Sequence, residues 1–201
     1  MADRTDRVIL SVSEASPGGW LTGEIDGIRL VAEDVPLADL EVTTDVIIAF
    51  PGRPTEGLSW GSAAWNWLDE VVGQYPGDGL LLRGHHQQVM ADGPACLRWL
   101  DHGPEGSGIA LAPASMLAPS MLEARDEHLM RMFEYCGARS EVVILEDVAD
   151  GEEIQGRPLG EGILPGPLVG RLIDAHVPRE TPVLVRADDP EVARAWLWPE
   201  S

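Results

Sequence analysis

The sequence predicts a parallel α/β architecture, and three observations predict it. Four apolar strand patterns, over residues 80–83, 109–112, 142–146 and 183–186, are each followed by a segment of helical periodicity. Strand and helix therefore alternate, as they do when a helix returns the chain to start a parallel neighbour. Glycine and proline cluster between these units, where they end one element and open the next. In such architectures function sits at the carboxyl ends of the strands, so the residues at those tips carry the question of activity.

Taken in order, the first strand is expected over residues 7–13 and the second over 28–32, after a Pro17-Gly18-Gly19 turn. A third, over 45–50, stops at Pro51-Gly52. The intervals are too short for long helices, so the amino-terminal end reads as shortened or irregular. Residues 61–73 then carry Ala64, Trp65, Leu68, Val71 and Val72 at helical spacing, the first crossover helix. After the 80–83 strand, Asp92-Gly93-Pro94 opens a helix through Trp99, with proline where the first turn has a spare N–H. Ser120 and Glu123 form a capping-box pattern expected to open a longer helix, whose stripe of Leu122, Leu129, Phe133 and Cys136 ends at Gly137. Pro165-Gly166-Pro167 introduces a helix over 168–176, and Asp189-Pro190 the final one through Trp198. Seven strands are counted, one fewer than a closed eight-fold barrel. Either the eighth lies near residues 40–43 or the barrel is reduced at its beginning.

At 201 residues the chain reads as one domain with a substantial core, short for an eight-fold barrel, which takes about 250 residues. Its 34 acidic against 14 basic residues give a net charge of −20, which disfavours nucleic acid and anionic membrane as partners. Every basic residue other than histidine is an arginine. A lysine Schiff base, a P-loop lysine and a lysine general base are thereby excluded on this chain. No signal peptide or membrane-length apolar run is recognised, so a cytoplasmic location is expected. Cys96 and Cys136 fall in predicted helices and read as reduced core thiols, since two cysteines make no disulfide framework.

Four stretches carry a resemblance to a known family: Leu80-Leu81-Leu82-Arg83-Gly84-His85, residues 108–115 (Gly-Ile-Ala-Leu-Ala-Pro-Ala-Ser), Val143-Ile144-Leu145-Glu146-Asp147, and Pro158-Leu159-Gly160-Glu161-Gly162. Their order resembles the xylose isomerase-like TIM-barrel superfamily of sugar isomerases, epimerases and endonuclease IV-type enzymes, from about residue 78 onward. The resemblance implies a TIM-barrel-like fold of about seven to eight strands. It also implies a divalent metal held by carboxylates and histidines at strand ends, activating the oxygens of a sugar. Carried onto this sequence, the expected glutamate is Arg83, an aspartate and a histidine are Ala112 and Ser115, another histidine is Ile144, and the final glutamate is Arg186. Guanidinium has no lone pair to give a cation, so the resemblance implies a family member without that metal site.

The residues themselves leave several candidates. Arg83 and Arg186, in a barrel mouth, need an anion or an acidic partner. Two such groups can hold a carboxylate or phosphate bidentately. Internal pairing with Glu14, Glu33 or Glu146 is the competing reading, and is favoured because acidic partners are plentiful. His85 and His86 lie on the functional rim as ligand-binding candidates, although adjacent residues on an extended chain point apart. Glu146 and Asp147, with His85, are the candidates for acid–base or relocated metal chemistry, and they too face opposite ways. His102, His128 and His176 read as surface residues. The stretch 150–162 reads as a βα loop over the functional face. Among seven tryptophans, Trp65, Trp99 and Trp196 suit the helix-to-barrel interface, while Trp60, Trp67 and Trp198 are candidates for a partner surface. Dimerisation through the amino-terminal half would cover exposed strand edges.

The expectation is therefore an acidic, cytoplasmic barrel pseudoenzyme without cofactor, binding a small anionic or sugar-like molecule or acting in regulation. The alternatives are a sugar isomerase or epimerase with a divalent metal or acid–base site drawn from His85, His86, Glu146, Asp147 and Glu14, and a purely structural subunit.

Overall fold

The computed structural model describes residues 7–17, 19–32, 35–36, 40, 44–51, 61–75, 79–149 and 154–199. Glu33, Trp60 and residues 41–43, where an eighth strand was sought, lie outside the described residues. The elements in chain order are β1 (Ile9–Val12), β2 (Gly23–Ile25), β3 (Ile28–Leu30), β4 (Val46–Ala49), α1 (Ser62–Gly73), β5 (Leu80–Arg83), α2 (Gly93–His102), β6 (Gly108–Leu111), α3 (Pro113–Met116), α4 (Arg125–Cys136), β7 (Val142–Leu145), β8 (Asp147–Val148), β9 (Gly156–Arg157), α5 (Gly166–His176), β10 (Val183–Arg186) and α6 (Pro190–Leu197).

One eight-stranded sheet runs β1, β10, β7, β6, β5, β4, β3, β2. Neighbours are parallel throughout except β2, which pairs antiparallel with β3. Beyond β1 the chain folds back on itself. The Ser16 N–H donates to the Trp20 carbonyl at 2.8 Å, the Thr22 N–H to the Glu14 carbonyl at 3.1 Å, and Ala15 bridges Leu21 antiparallel. This hairpin brings β2 beside β1, so the sheet nearly closes into a TIM-barrel-like ring. The irregularity expected at the amino-terminal end is thus a reversed strand: β2 follows β1 through a hairpin where a regular barrel has a helix.

Alternate residues of each strand supply two cores. Leu80 and Leu82, Ile109 and Leu111, Val143 and Leu145, and Val183 and Val185 face outward to the helices, where they meet Leu68, Trp99, Phe133 and Ile173. Leu81, Ala110, Val142, Ile144 and Leu184 face inward and fill the barrel with Val12, Leu21, Leu30 and Ile48. Both layers are fully buried and hydrocarbon, which is why the strands read as near-continuous apolar runs.

Helix starts follow local chemistry. The Asp92 carboxylate accepts the Ala95 N–H at 2.8 Å to cap α2, and Asp189 caps α6 through the Glu191 N–H at 2.8 Å. The Ser120–Glu123 pattern does not open α4. Pro119–Ala124 forms a 3-10 turn led by proline, and α4 begins at Arg125 with Asp126 and Glu127 in its first turn, where negative charge suits the helix dipole. Among the described residues no helix is long and apolar enough to cross a membrane.

Candidate functional site

Strand parity sets the mouth. Arg83 ends β5 on the face of Leu81, Glu146 follows β7 on the face of Ile144, and Arg186 ends β10 on the face of Leu184. All three therefore form the last inward layer at the carboxyl end of the barrel. The strand between β5 and β7 turns only Ala110 and Ala112 inward, which leaves room for Arg83 to reach across to Glu146.

The Arg83 Nη2 forms a buried ion pair with Glu146 Oε2, both side chains 1% exposed. Arg186 Nη1 lies 3.6 Å from Glu146 Oε1. The hairpin completes the cluster with main-chain groups. The Leu21 N–H donates to Glu146 Oε1 at 2.7 Å, Arg83 Nη1 donates to the Leu21 carbonyl at 3.0 Å, and Arg186 donates to the Gly19 carbonyl. Trp20 and Phe50 wall the site, with the Arg83 guanidinium 4.6 Å from the Phe50 ring centre and 5.7 Å from that of Trp20. Two glycines allow this closeness: Gly19 adopts φ +87°, and a Cβ on Gly156 of β9 would lie 2.7 Å from both Glu146 Oε1 and the Gly19 carbonyl. The internal pairing weighed from sequence is thus present between Arg83, Arg186 and Glu146. Burial pushes the Glu146 carboxyl above the ordinary glutamate range, while Arg83, the Leu21 N–H and Arg186 pull it down.

The other candidates separate. Asp147 points away from Glu146 and is fully buried. Its carboxylate accepts the N–H groups of Val148, Gly160, Gly162 and Leu164 at 2.8 to 3.1 Å. It thereby ties down the acidic loop, which returns as β9 against β8. His85 is buried and edge-on to Trp20 and Phe50, at 5.4 and 5.7 Å between ring centres. The loop turns sharply enough that His85 and His86 stack at 4.5 Å, although neighbours on an extended chain would diverge. His86 is fixed to Ser115, whose carbonyl accepts the His86 N–H at 2.9 Å and lies 3.2 Å from Nδ1. The Ser115 hydroxyl donates to the carbonyls of Gly84 and Ala112, and Ile144 is in the barrel core. Glu14 sits on the hairpin with an exposed side chain. Among the described residues no three histidine, cysteine, aspartate or glutamate side chains converge as metal ligands.

Sequence reading missed the hairpin's part in this site. Leu21 and Gly19 act through their backbones, which carry no residue-type signature. The Asp26-Gly27 pair was the available signal for β2: both residues have positive φ, 49° and 78°, as a two-residue hairpin turn requires.

No protein-family model matches the chain, and no curated protein matches it. Among solved structures, the chain is similar to a xylose isomerase domain protein from Planctomyces limnophilus, with a TM-score of 0.48 and 16% sequence identity over 76% of this chain and 55% of that one. The chain spans about half the length of that protein.

Proposed function

We propose that this is a xylose isomerase-like barrel protein that has given up the metal-dependent sugar isomerase site and acts by binding a small anion, in a regulatory capacity. The observation that supports this reading is the Arg83–Glu146–Arg186 cluster in the layer where the sequence resemblance implies metal ligands. Guanidinium groups hold a small carboxylate or phosphate through paired N–H donors, and two of them are gathered in this layer. Arg186 offers the accessible contact: its side chain is 14% exposed, although its Nε is buried. His86 stands on the same rim, half-buried.

Elemental analysis and a thermal-shift panel of sugars, sugar phosphates and simple carboxylates, with and without divalent cations, test the reading. A carboxylate or phosphate should raise the melting temperature without metal, and Arg186→Gln should abolish that rise in a protein that still folds. One tightly held equivalent of zinc, manganese or magnesium at the strand tips would overturn it. So would metal-dependent turnover of an aldose or ketose that His85→Ala or Glu146→Ala removes. A panel without any shift would favour a purely structural subunit.

A further inference from the structure

Away from the mouth, α2 and α4 border a separate cavity. The absence of a side chain at Gly93 lets the first turn of α2 sit against α4: a Cβ there would lie 2.6 Å from the Tyr135 ring. The Cys136 thiol donates to the Gly93 carbonyl at 3.8 Å and holds the same contact from below. Beside it opens a surface pocket of about 200 Å³. Met121, the buried Met132, Pro94 and the half-exposed Tyr135 ring give this pocket its apolar walls. Asp92, Arg131 and His128 line it as well, and Asp92 and Arg131 are exposed, so opposite charges stand at the rim of an apolar space. Their local partners leave both groups with capacity. The Asp92 carboxylate caps α2 through the Ala95 N–H, which uses one of its roughly four lone-pair sites. Arg131 pairs with Glu127 one turn away, an exposed contact that solvent weakens. None of these residues belongs to the Arg83–Glu146–Arg186 cluster.

We propose that this pocket binds an apolar α-amino acid, its ammonium donating to Asp92, its carboxylate accepting from Arg131, and its side chain lying against Met121, Met132 and Tyr135. Size and chemistry both favour that class. A cavity of about 150 Å³ lined by apolar side chains holds benzene, so this space takes one ring. Thioether sulfurs and an aromatic face suit an aromatic guest. A simple anion would meet the like charge of Asp92, and a simple cation that of Arg131, whereas a zwitterion is matched at both ends. It also carries no net charge, so a chain of net charge −20 does not repel it.

The test is methyl NMR on the full chain labelled at its six methionines and titrated with L-phenylalanine. Saturable shifts should be concentrated on the Met121 and Met132 methyls. 3-Phenylpropionate lacks the ammonium and phenethylamine the carboxylate, and each should bind roughly tenfold more weakly. Asp92→Asn keeps a side chain able to cap α2, and Arg131→Gln changes an exposed position, so both variants should unfold close to wild type. Each should weaken phenylalanine by about tenfold as well. Absence of a saturable shift at those two methyls, up to the solubility limit of phenylalanine, would overturn the proposal. Equal affinity for the three compounds, or binding untouched by both variants, would overturn it equally.

Discussion

The two halves of this barrel contribute different things to its mouth. From β5 to α6, strand and helix alternate, and parity delivers Arg83, Glu146 and Arg186 to one inward layer. From β1 to β4 the chain doubles back, and its hydrogen bonds to that layer come from main chain: the Leu21 N–H and carbonyl and the Gly19 carbonyl. A wall of parallel strands brings side chains together, but its own N–H and C=O groups are used in the ladder. In the hairpin, Leu21 faces Ala15 between the Ser16–Trp20 and Thr22–Glu14 bonds, so its own N–H and C=O point away from that strand and reach the cluster. The regular half thus supplies charge and the irregular half satisfies it.

The largest test of this division is removal of the shared anion. Glu146→Ala leaves two guanidinium groups in the barrel without their carboxylate and should cost about 3–5 kcal/mol in urea unfolding. Replacing all three residues with apolar ones (Arg83→Met, Glu146→Leu, Arg186→Met) should recover much of that loss, because a well-packed hydrocarbon layer can equal a buried ion cluster. A triple variant no more stable than the single would mean that the cluster organises the barrel.

Next, Leu21→Ala removes a fully buried hairpin side chain from the barrel interior and should cost about 2–5 kcal/mol, as in the regular half. A loss below about 0.5 kcal/mol, typical of surface changes, would make the hairpin an appendage. Within the regular half, Asp92→Ala deletes only the α2 cap and should cost about 1 kcal/mol, with the mouth undisturbed.

The last test is a slope. Because burial raises the folded carboxyl of Glu146, the native state binds that proton more tightly than the unfolded chain does. The contribution of Glu146 to stability therefore falls as pH rises from the ordinary glutamate value, about 4.3, through the raised folded value, and is constant beyond it. Wild-type stability measured against Glu146→Gln should decline across that window. A rise would mean that the two arginines outweigh burial.

The regular half was legible because buried parallel strands are short apolar runs and their helices are striped at 3.6 residues. The bounds of β5, β6, β7 and β10 and of α2, α5 and α6 fall within a few residues of those expected, while α3, β8 and β9 were not expected. Their positions at the carboxyl ends of three strands also placed Arg83, Arg186 and Glu146 at the mouth. Three features were not readable. β2 has three residues, too few for alternation to register, and its Asp-Gly turn went unweighed. The Ser120–Glu123 pattern satisfied a capping rule, while Pro119 favoured a tighter 3-10 turn. The contact of Cys136 with the Gly93 carbonyl depends on how α2 and α4 pack together, a tertiary relation that no local pattern encodes.

That Leu21 and Gly19 hold the cluster through peptide groups has an evolutionary consequence. Exposed side chains on the hairpin can drift without touching those hydrogen bonds, whereas Gly19, with its positive φ, and the buried Leu21 are constrained. The feature is sensitive as well to insertion, deletion or a proline at residue 21, each of which shifts or removes the peptide groups themselves. Among divergent versions of this barrel, loop length between β1 and β2 should therefore track the retention of a glutamate one residue past β7 better than any exposed residue within the loop does.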